Sequence, residues 1–366
     1  MNQDIWQQTQ SFINAASRNI DHATLIAQHN TRSILNSKID GSPETFHGTT
    51  PFEVIYQFDS MRVLKFKEFD RPGDSASGEL VPLLMIPSLI NRSYVLDLMS
   101  GSSLIAHLAQ NGFPTYLLDW GTPGPQHDHL HFGFYVDELM ELAAHAVRRE
   151  AGCKRISLLG YCMGGTMCLL YAALHPNLVE KITLLASPVN FHDEGVLSAW
   201  ASSEGFNVDQ LVDTLHHMDA LMLQSSFQYL RPWSNYQKYK SLFESSANPK
   251  FVDSFIKLER WLNDNVSVPG EAYREFVRKC YQENRLIEGG MELNGKNVDL
   301  KKITSPILNV MARKDHLVPI KSSAVVSSLV SGPVMDELID AGHIGLAMGS
   351  KARVMFDTVL RFHSIV

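Results

Sequence analysis

The chain has 366 residues, 45% of them hydrophobic, with 39 acidic against 32 basic side chains and a formal net charge of −7. That length and apolar content suit one large α/β unit carrying an insertion. The acidic balance argues against a nucleic-acid binder, whose surface needs an excess of Lys and Arg.

The N-terminus, MNQDIWQQTQSFINAASRNI, has an acidic residue at position 4 and no basic start before an apolar run, so no secretory signal is expected. Ile5, Trp6, Phe12, Ile13, Ile20, Leu25 and Ile26 fall at helical spacing and predict one or two amphipathic helices. The polar stretch RPGDSASGEL then leads into the first strongly buried strand, and residues 1–70 are assigned to a helical lead and first strands.

Short apolar runs now alternate with helical segments. VPLLMIP (81–87), PTYLLDW (114–120), ISLLGYC (156–162) and KITLLASP (181–188) read as strands. Between them, helices are expected over 96–108, over DELMELAAHAVRRE (137–150) and over GTMCLLYAALH. The runs lack strict alternation, as strands covered on both faces do. The rhythm predicts βαβ units and an α/β-hydrolase fold, with a mostly parallel sheet flanked by helices. Residues 71–188 form the first part of that core. Residues 189–302 lack a buried strand and read as an inserted helical cap. The core resumes over 303–366, with strands at PILNVMARKD and VMDELID and a final helix.

Gly160-Tyr161-Cys162-Met163-Gly164 sits between a predicted strand and a predicted helix. In Gly-x-nucleophile-x-Gly the glycines permit a strained turn that lifts the nucleophile above the sheet. Cys162 is therefore the candidate nucleophile. The N–H of Met163 opens the helix and can face a developing oxyanion. A second donor is expected from PSLINR (87–92), at the N–H of Ile90, with Leu89 as the alternative. A thiol needs a base and the base an orienting acid, in chain order nucleophile, acid, histidine. Asp315 closes one late strand and His343 follows the last, in DAGHIG. His316 and Asp340 compete for these roles but fit the order or reach less well. His127-Asp128-His129-Leu130-His131 looks at first like a metal site, but its members crowd one Pro/Gly-rich loop, so a solvated loop is expected. Neither a metal nor a disulfide framework is expected, because Cys153, Cys162, Cys168 and Cys280 have no CxxC spacing. Cys153 and Cys168 read as ordinary packing residues.

A cysteine acyl-enzyme is a thioester. Exchange with a thioester substrate is close to thermoneutral, and release to an alcohol runs downhill. Such a site suits transfer of acyl groups from a thiol carrier to a hydroxyl.

The chain resembles the poly(3-hydroxyalkanoate) synthases. The resemblance lies in PSLINRSYVLDL (87–98), LLGYCMGGTMCLLYA (158–172), FQYLRPWSNYQKY (227–239), LERWLNDNVSVPGEAYREFVRKCYQENRL (258–286), VDLKKITSPILNVMARKDHLVP (298–319) and AGHIG (341–345). It implies that Cys162 holds the growing chain, His343 acts as base and Asp315 as its partner. It further implies a short-chain 3-hydroxyacyl-CoA as substrate, release of CoA, a polyester product and no separate cofactor. The short N-terminal lead is similar to class III or class IV catalytic subunits, implying a non-catalytic partner subunit, a homodimer or hetero-oligomer, and a cytoplasmic enzyme at the polyester granule surface. No membrane span is expected, since no apolar run is long enough. Ala341 and Ser88 depart from the family pattern, which often has glycine and a second proline there. A thioesterase, a polyester depolymerase or a cysteine hydrolase similar to dienelactone hydrolase are the alternatives on the same fold.

Overall fold

The structure, a computed structural model, describes residues 48–68, 80–203, 205–229, 240, 242–349 and 351–365. The helices expected over residues 5–26, the stretch 71–79 and most of FQYLRPWSNYQKY lie outside the described residues.

Eight strands form one sheet: β1 (Phe52–Phe58), β2 (Met61–Phe66), β3 (Leu83–Ile86), β4 (Thr115–Asp119), β5 (Ile156–Tyr161), β6 (Val179–Leu185), β7 (Ile307–Ala312) and β8 (Val334–Ile339). They lie in the order β1-β2-β4-β3-β5-β6-β7-β8. β1, β2 and β4 pair antiparallel, and every pairing from β4 to β8 is parallel. Every residue of β3, β4, β5 and β7 is buried, which explains why their sequences do not alternate. β8 lies at the sheet edge and exposes Met335 and Leu338.

Helices α1 (Leu104–Gln110), α2 (Met140–Ala151) and α3 (Met163–Leu174) connect the central strands. The helix expected over 96–108 is in fact broken. A 3-10 turn at Ser93–Asp97 is followed by Gly101 at φ +85°, and α1 begins only where the Ser103 hydroxyl caps Ala106 N–H at 2.8 Å. Ser103 also donates to Asp97 at 2.6 Å, and the buried Asp97 carboxylate accepts the N–H groups of Thr49 and Thr50 at 2.8 Å each. A carboxylate that joins two segments in this way favours the break over a continuous helix.

Between β6 and β7 the chain adds no strand to the main sheet. It forms α4 (Val196–Ala201), α5 (Val208–Leu215), α6 (Ala220–Tyr229), α7 (Pro249–Asn263) and α8 (Gly270–Phe276), the last continuing into a π-helical turn at Val277–Gln282. Two-residue ladders pair His217–Met218 with Val268–Pro269 and Glu292–Leu293 with Lys296–Asn297. The chain divides into two compact units, one of residues 47–226 and 261–366, the other containing residues 227–260. In the latter the described part is mainly α7, where Lys257 pairs with Asp253 at 2.9 Å. In the former, α8 packs on the core: the Phe276 ring lies 5.1 Å from Phe132 and 5.8 Å from Phe191. Burying one such ring contributes roughly 1.5–3 kcal/mol. β8 is followed by α9 (His343–Met348) and α10 (Ala352–Ser364).

Candidate active site

β5 delivers Cys162 into the turn before α3. Its backbone adopts φ 55°, ψ −126°, a conformation that costs a non-glycine residue on the order of 1–3 kcal/mol. The flanking glycines make the turn possible by close approach. A Cβ on Gly160 would lie 2.3 Å from the backbone of Gly165, and one on Gly164 would lie 2.0 Å from the carbonyl oxygen of Ile86. The first turn of α3 is thus wedged against the end of β3, and its N-terminus faces the same space as the cysteine. α3 is buried from Met163 through Ala173, which accounts for a helix apolar on every side.

His343 opens α9, and its Nδ1 lies 2.6 Å from Oδ2 of Asp315. The Asp315 side chain is fully buried, and its other oxygen accepts the N–H groups of Leu317 and Val318 at 2.9 Å each. Both carboxylate oxygens are therefore fixed, and the imidazole orientation with them. Burial by itself would pull the His343 imidazole down. The charge on Cys162, then hydrogen bonds to Asp315 and Cys162, overcome this and raise it to about 10. An imidazolium is accordingly favoured beside the sulfur. Tyr161, next to Cys162, stacks obliquely on His343 at 5.2 Å and donates to the His343 carbonyl at 3.3 Å. Burial, followed by the charges of Cys162 and Asp315, pushes its phenol well up, so it remains a donor.

The competing residues go elsewhere. Asp340 pairs with Lys314 at 3.0 Å, and His316 is exposed. The His127–His131 loop forms two hydrogen-bonded pairs: His127 Nε2 lies 2.5 Å from Asp59, and Asp128 meets His217. His129 and His131 are exposed. Among the described residues no group of three or more His, Cys, Asp or Glu side chains gathers as a metal site. Cys168 and Cys280 are buried thiols whose burial pushes them well up, away from reactivity.

Of the two backbone donors expected from sequence, Met163 N–H sits at the start of α3 beside Cys162. In the β3 loop, Ile90 N–H donates to Ser88 Oγ at 3.1 Å. Leu89, the alternative, is buried and its N–H has no acceptor among the described residues. Ser88 thus engages the donor that a second proline there would leave without a hydroxyl partner.

Three further residues were not singled out from sequence. Tyr281 lies in the π-helical turn, with its phenol in the electrostatic reach of Cys162 and Asp193. Asn284, buried at φ +46°, accepts the N–H of Phe191 at 3.0 Å and donates to Asn190 at 2.9 Å, joining the insertion to the loop after β6. Asp193 lies in that same loop, and burial raises its carboxyl. Tyr281 and Asn284 lie in a segment shared with the synthases and Asp193 in none, and local patterning treats all three as ordinary loop and helix residues.

A match to the α/β hydrolase fold family covers residues 81–347. The poly(3-hydroxyalkanoate) polymerase subunit PhaC of Allochromatium vinosum is 34% identical over 309 residues, covering 84% of this chain and 86% of the relative. The subunit of the same name from Haloferax mediterranei is 35% identical over 323 residues, covering 87% of this chain but 65% of the longer relative. Among solved structures, a hydrolase from Pseudomonas aeruginosa PA01 aligns with a TM-score of 0.50 at 16% identity, covering 87% of this chain and 99% of that one, a likeness of fold alone. With its parallel sheet, its strained cysteine turn and this extent of identity, the chain belongs to the α/β hydrolase fold family and, within it, to the poly(3-hydroxyalkanoate) polymerase PhaC family.

Proposed function

We propose that the chain polymerises short-chain 3-hydroxyacyl-CoA into polyhydroxyalkanoate with release of CoA, through an acyl thioester on Cys162. The observation that carries this reading is the identity to the Allochromatium vinosum polymerase subunit over 86% of that protein's length. The geometry around Cys162 is compatible with the chemistry required.

In the first step the Cys162 thiol proton passes to His343, and the thiolate attacks the thioester carbonyl of the substrate. The tetrahedral oxyanion meets the N–H of Met163, with Leu89 N–H as the second donor, since Ile90 N–H is engaged by Ser88. The carbon–sulfur bond to CoA breaks, and the CoA thiolate takes the proton from His343. In the second step His343 accepts the proton of a 3-hydroxyl, and that oxygen attacks an acyl thioester. An oxygen ester forms and the thiol is regenerated. Asp315 holds the imidazole in the tautomer and orientation that both steps need. The Phe132–Phe191–Phe276 packing of the insertion against the core supports exclusion of water, which would otherwise end the chain as a free acid.

The reaction needs no separate cofactor, since CoA arrives with the substrate. The same reading includes a non-catalytic partner subunit, an oligomeric enzyme and action in the cytoplasm at the surface of the polyester granule. Among the described residues no helix is long and apolar enough to cross a membrane.

The test supplies 3-hydroxybutyryl-CoA and measures free CoA together with the acyl product, with and without candidate partner subunits. Insoluble polyester with stoichiometric CoA is expected, and Cys162→Ala should remove both. Soluble 3-hydroxybutyrate as the sole product would replace the polymerase reading by hydrolysis.

A further inference from the structure

An oxyanion donor stabilises a transition state only if it is oriented before the charge develops. Leu89 N–H, the donor assigned to the loop after β3, has no acceptor among the described residues. No hydrogen bond of its own therefore holds it in place. Fixing the backbone of a loop residue costs roughly 1–2 kcal/mol. The orientation of this donor has to come from its neighbours.

Before Leu89 the loop is seated on the turn that carries Cys162. A Cβ on Gly164 would lie 2.0 Å from the Ile86 carbonyl oxygen and 3.0 Å from the carbonyl carbon of Pro87. The Pro87 oxygen in turn accepts Trp120 Nε1 at 3.1 Å. After Leu89 the anchor comes from the insertion, through residues 261–266, which belong to the same compact unit as the loop. Val266 N–H donates to the Ile90 carbonyl at 3.1 Å, and the Asn91 amide donates to the Asn265 side chain at 2.6 Å. Trp261 Nε1 donates to the Arg92 carbonyl at 2.9 Å. Asp264 binds the loop with both carboxylate oxygens: one accepts Arg92 Nε at 3.2 Å and the other the Tyr94 hydroxyl at 2.7 Å. Tyr94, Trp261 and Val266 are buried, and Asp264 is largely so. Bonds to a carboxylate in such a place are stronger than neutral ones in water.

We propose that Asp264 is a positioning residue for the oxyanion: by holding Arg92 and Tyr94 it fixes the loop after β3 in the conformation that presents Leu89 N–H above the Cys162 turn. Asp264 touches neither the sulfur nor the substrate and acts only through the loop. The insertion then does more than cover the core. The loop that supplies one oxyanion donor is fastened on one side to the sheet and on the other to the insertion, so the site is complete only when both are in place. This rests on the polymerase reading above and deepens it by naming a residue that sets the rate of thioester attack without a part in binding the substrate.

The experiment uses the full chain and measures single-turnover CoA release from 3-hydroxybutyryl-CoA over a range of enzyme concentrations, for the wild type, Asp264→Asn and Tyr94→Phe. Each substitution keeps the shape of the side chain and removes a bond of the clamp. A misplaced donor weakens the transition state and leaves the bound substrate alone. The limiting rate is expected to fall roughly 10–100-fold in Asp264→Asn and by less in Tyr94→Phe. The half-saturating concentration should stay within about twofold of wild type. Alkylation of Cys162 by iodoacetamide, followed on its peptide by mass spectrometry, separates this from general damage. There the sulfur displaces iodide from a saturated carbon and no oxyanion forms, so the rate should stay within about twofold in both variants. If Asp264→Asn opens the buried Cys168 and Cys280 to the reagent, Tyr94→Phe carries the test, and the same opening in both overturns the assignment. Alkylation that falls in parallel with CoA release overturns it, as does a raised half-saturating concentration at an unchanged limiting rate. A wild type that releases no CoA overturns the polymerase reading itself, and this assignment with it. An active wild type with unaltered rates in both variants removes Asp264 alone.

Discussion

Two histidine–carboxylate pairs of nearly equal length serve different ends in this molecule. His343 and Asp315 lie 2.6 Å apart, and His127 and Asp59 lie 2.5 Å apart. The difference is in what surrounds each pair. Asp315 is fully buried and braced by two backbone N–H groups, whereas the Asp59 side chain is 56% exposed. The far side of the His343 ring addresses Cys162, while the second nitrogen of His127 accepts the N–H of Gly124 at 2.9 Å. Both nitrogens of His127 are thus used in holding a loop. A histidine becomes a base only when one nitrogen is fixed by a partner and the other faces a proton to be moved. Pair distance alone does not distinguish the two cases.

Replacing the acid of the inner pair should have the largest effect. Asp315→Asn keeps the shape but removes the charge that orients His343. CoA release from 3-hydroxybutyryl-CoA is expected to fall on the order of 10³–10⁴-fold. A loss under about tenfold would mean that His343 is oriented by something else.

The second effect is on titration. His343 is raised from 6.5 to about 10, with burial opposing and Cys162 the largest cause in favour. Since its folded value lies above its unfolded one, the protonated ring contributes stability that is full below about pH 6.5 and is lost as pH rises towards about 10. In Cys162→Ala the largest raising cause disappears and burial gains weight. NMR titration of His343 should then show a midpoint well below that of the wild type, and coincident midpoints would mean that Cys162 does not raise His343.

The smallest effect belongs to the outer pair. His127→Ala is expected to cost roughly 1–2 kcal/mol in chemical denaturation, since it removes a mostly buried ring and its bonds to Asp59 and Gly124. Single-turnover CoA release should be unchanged within about twofold, provided the loop serves only to hold structure. A large drop in rate with intact stability would give the loop a catalytic part and erase the contrast.

The positions of the buried strands along the chain, the Gly-x-Cys-x-Gly turn and the placement of an acid and a histidine after late strands were all legible in the sequence. They are local in origin: continuous apolar runs mark strands covered on both faces, and glycine spacing marks the tight turn. Other features were not legible. The break between Asp97 and Ser103 depends on a carboxylate that caps a segment nearly fifty residues earlier. The engagement of Ile90 N–H by Ser88 depends on loop conformation, which residue type does not fix.

The His127–His131 loop shows the same division. Its composition suggested a solvated segment, and His129 and His131 are exposed. His127 and Asp128, however, found partners at Asp59 and His217, far away along the chain.

By itself the sequence determined the fold class, the nucleophile candidate and the chain order of its partners, because these follow from periodicity and from residue chemistry at fixed spacing. Only the tertiary structure decided which histidine faces the Cys162 sulfur and which backbone donor in the β3 loop is already engaged. Those depend on contacts between residues distant in sequence, which packing selects and no local pattern records.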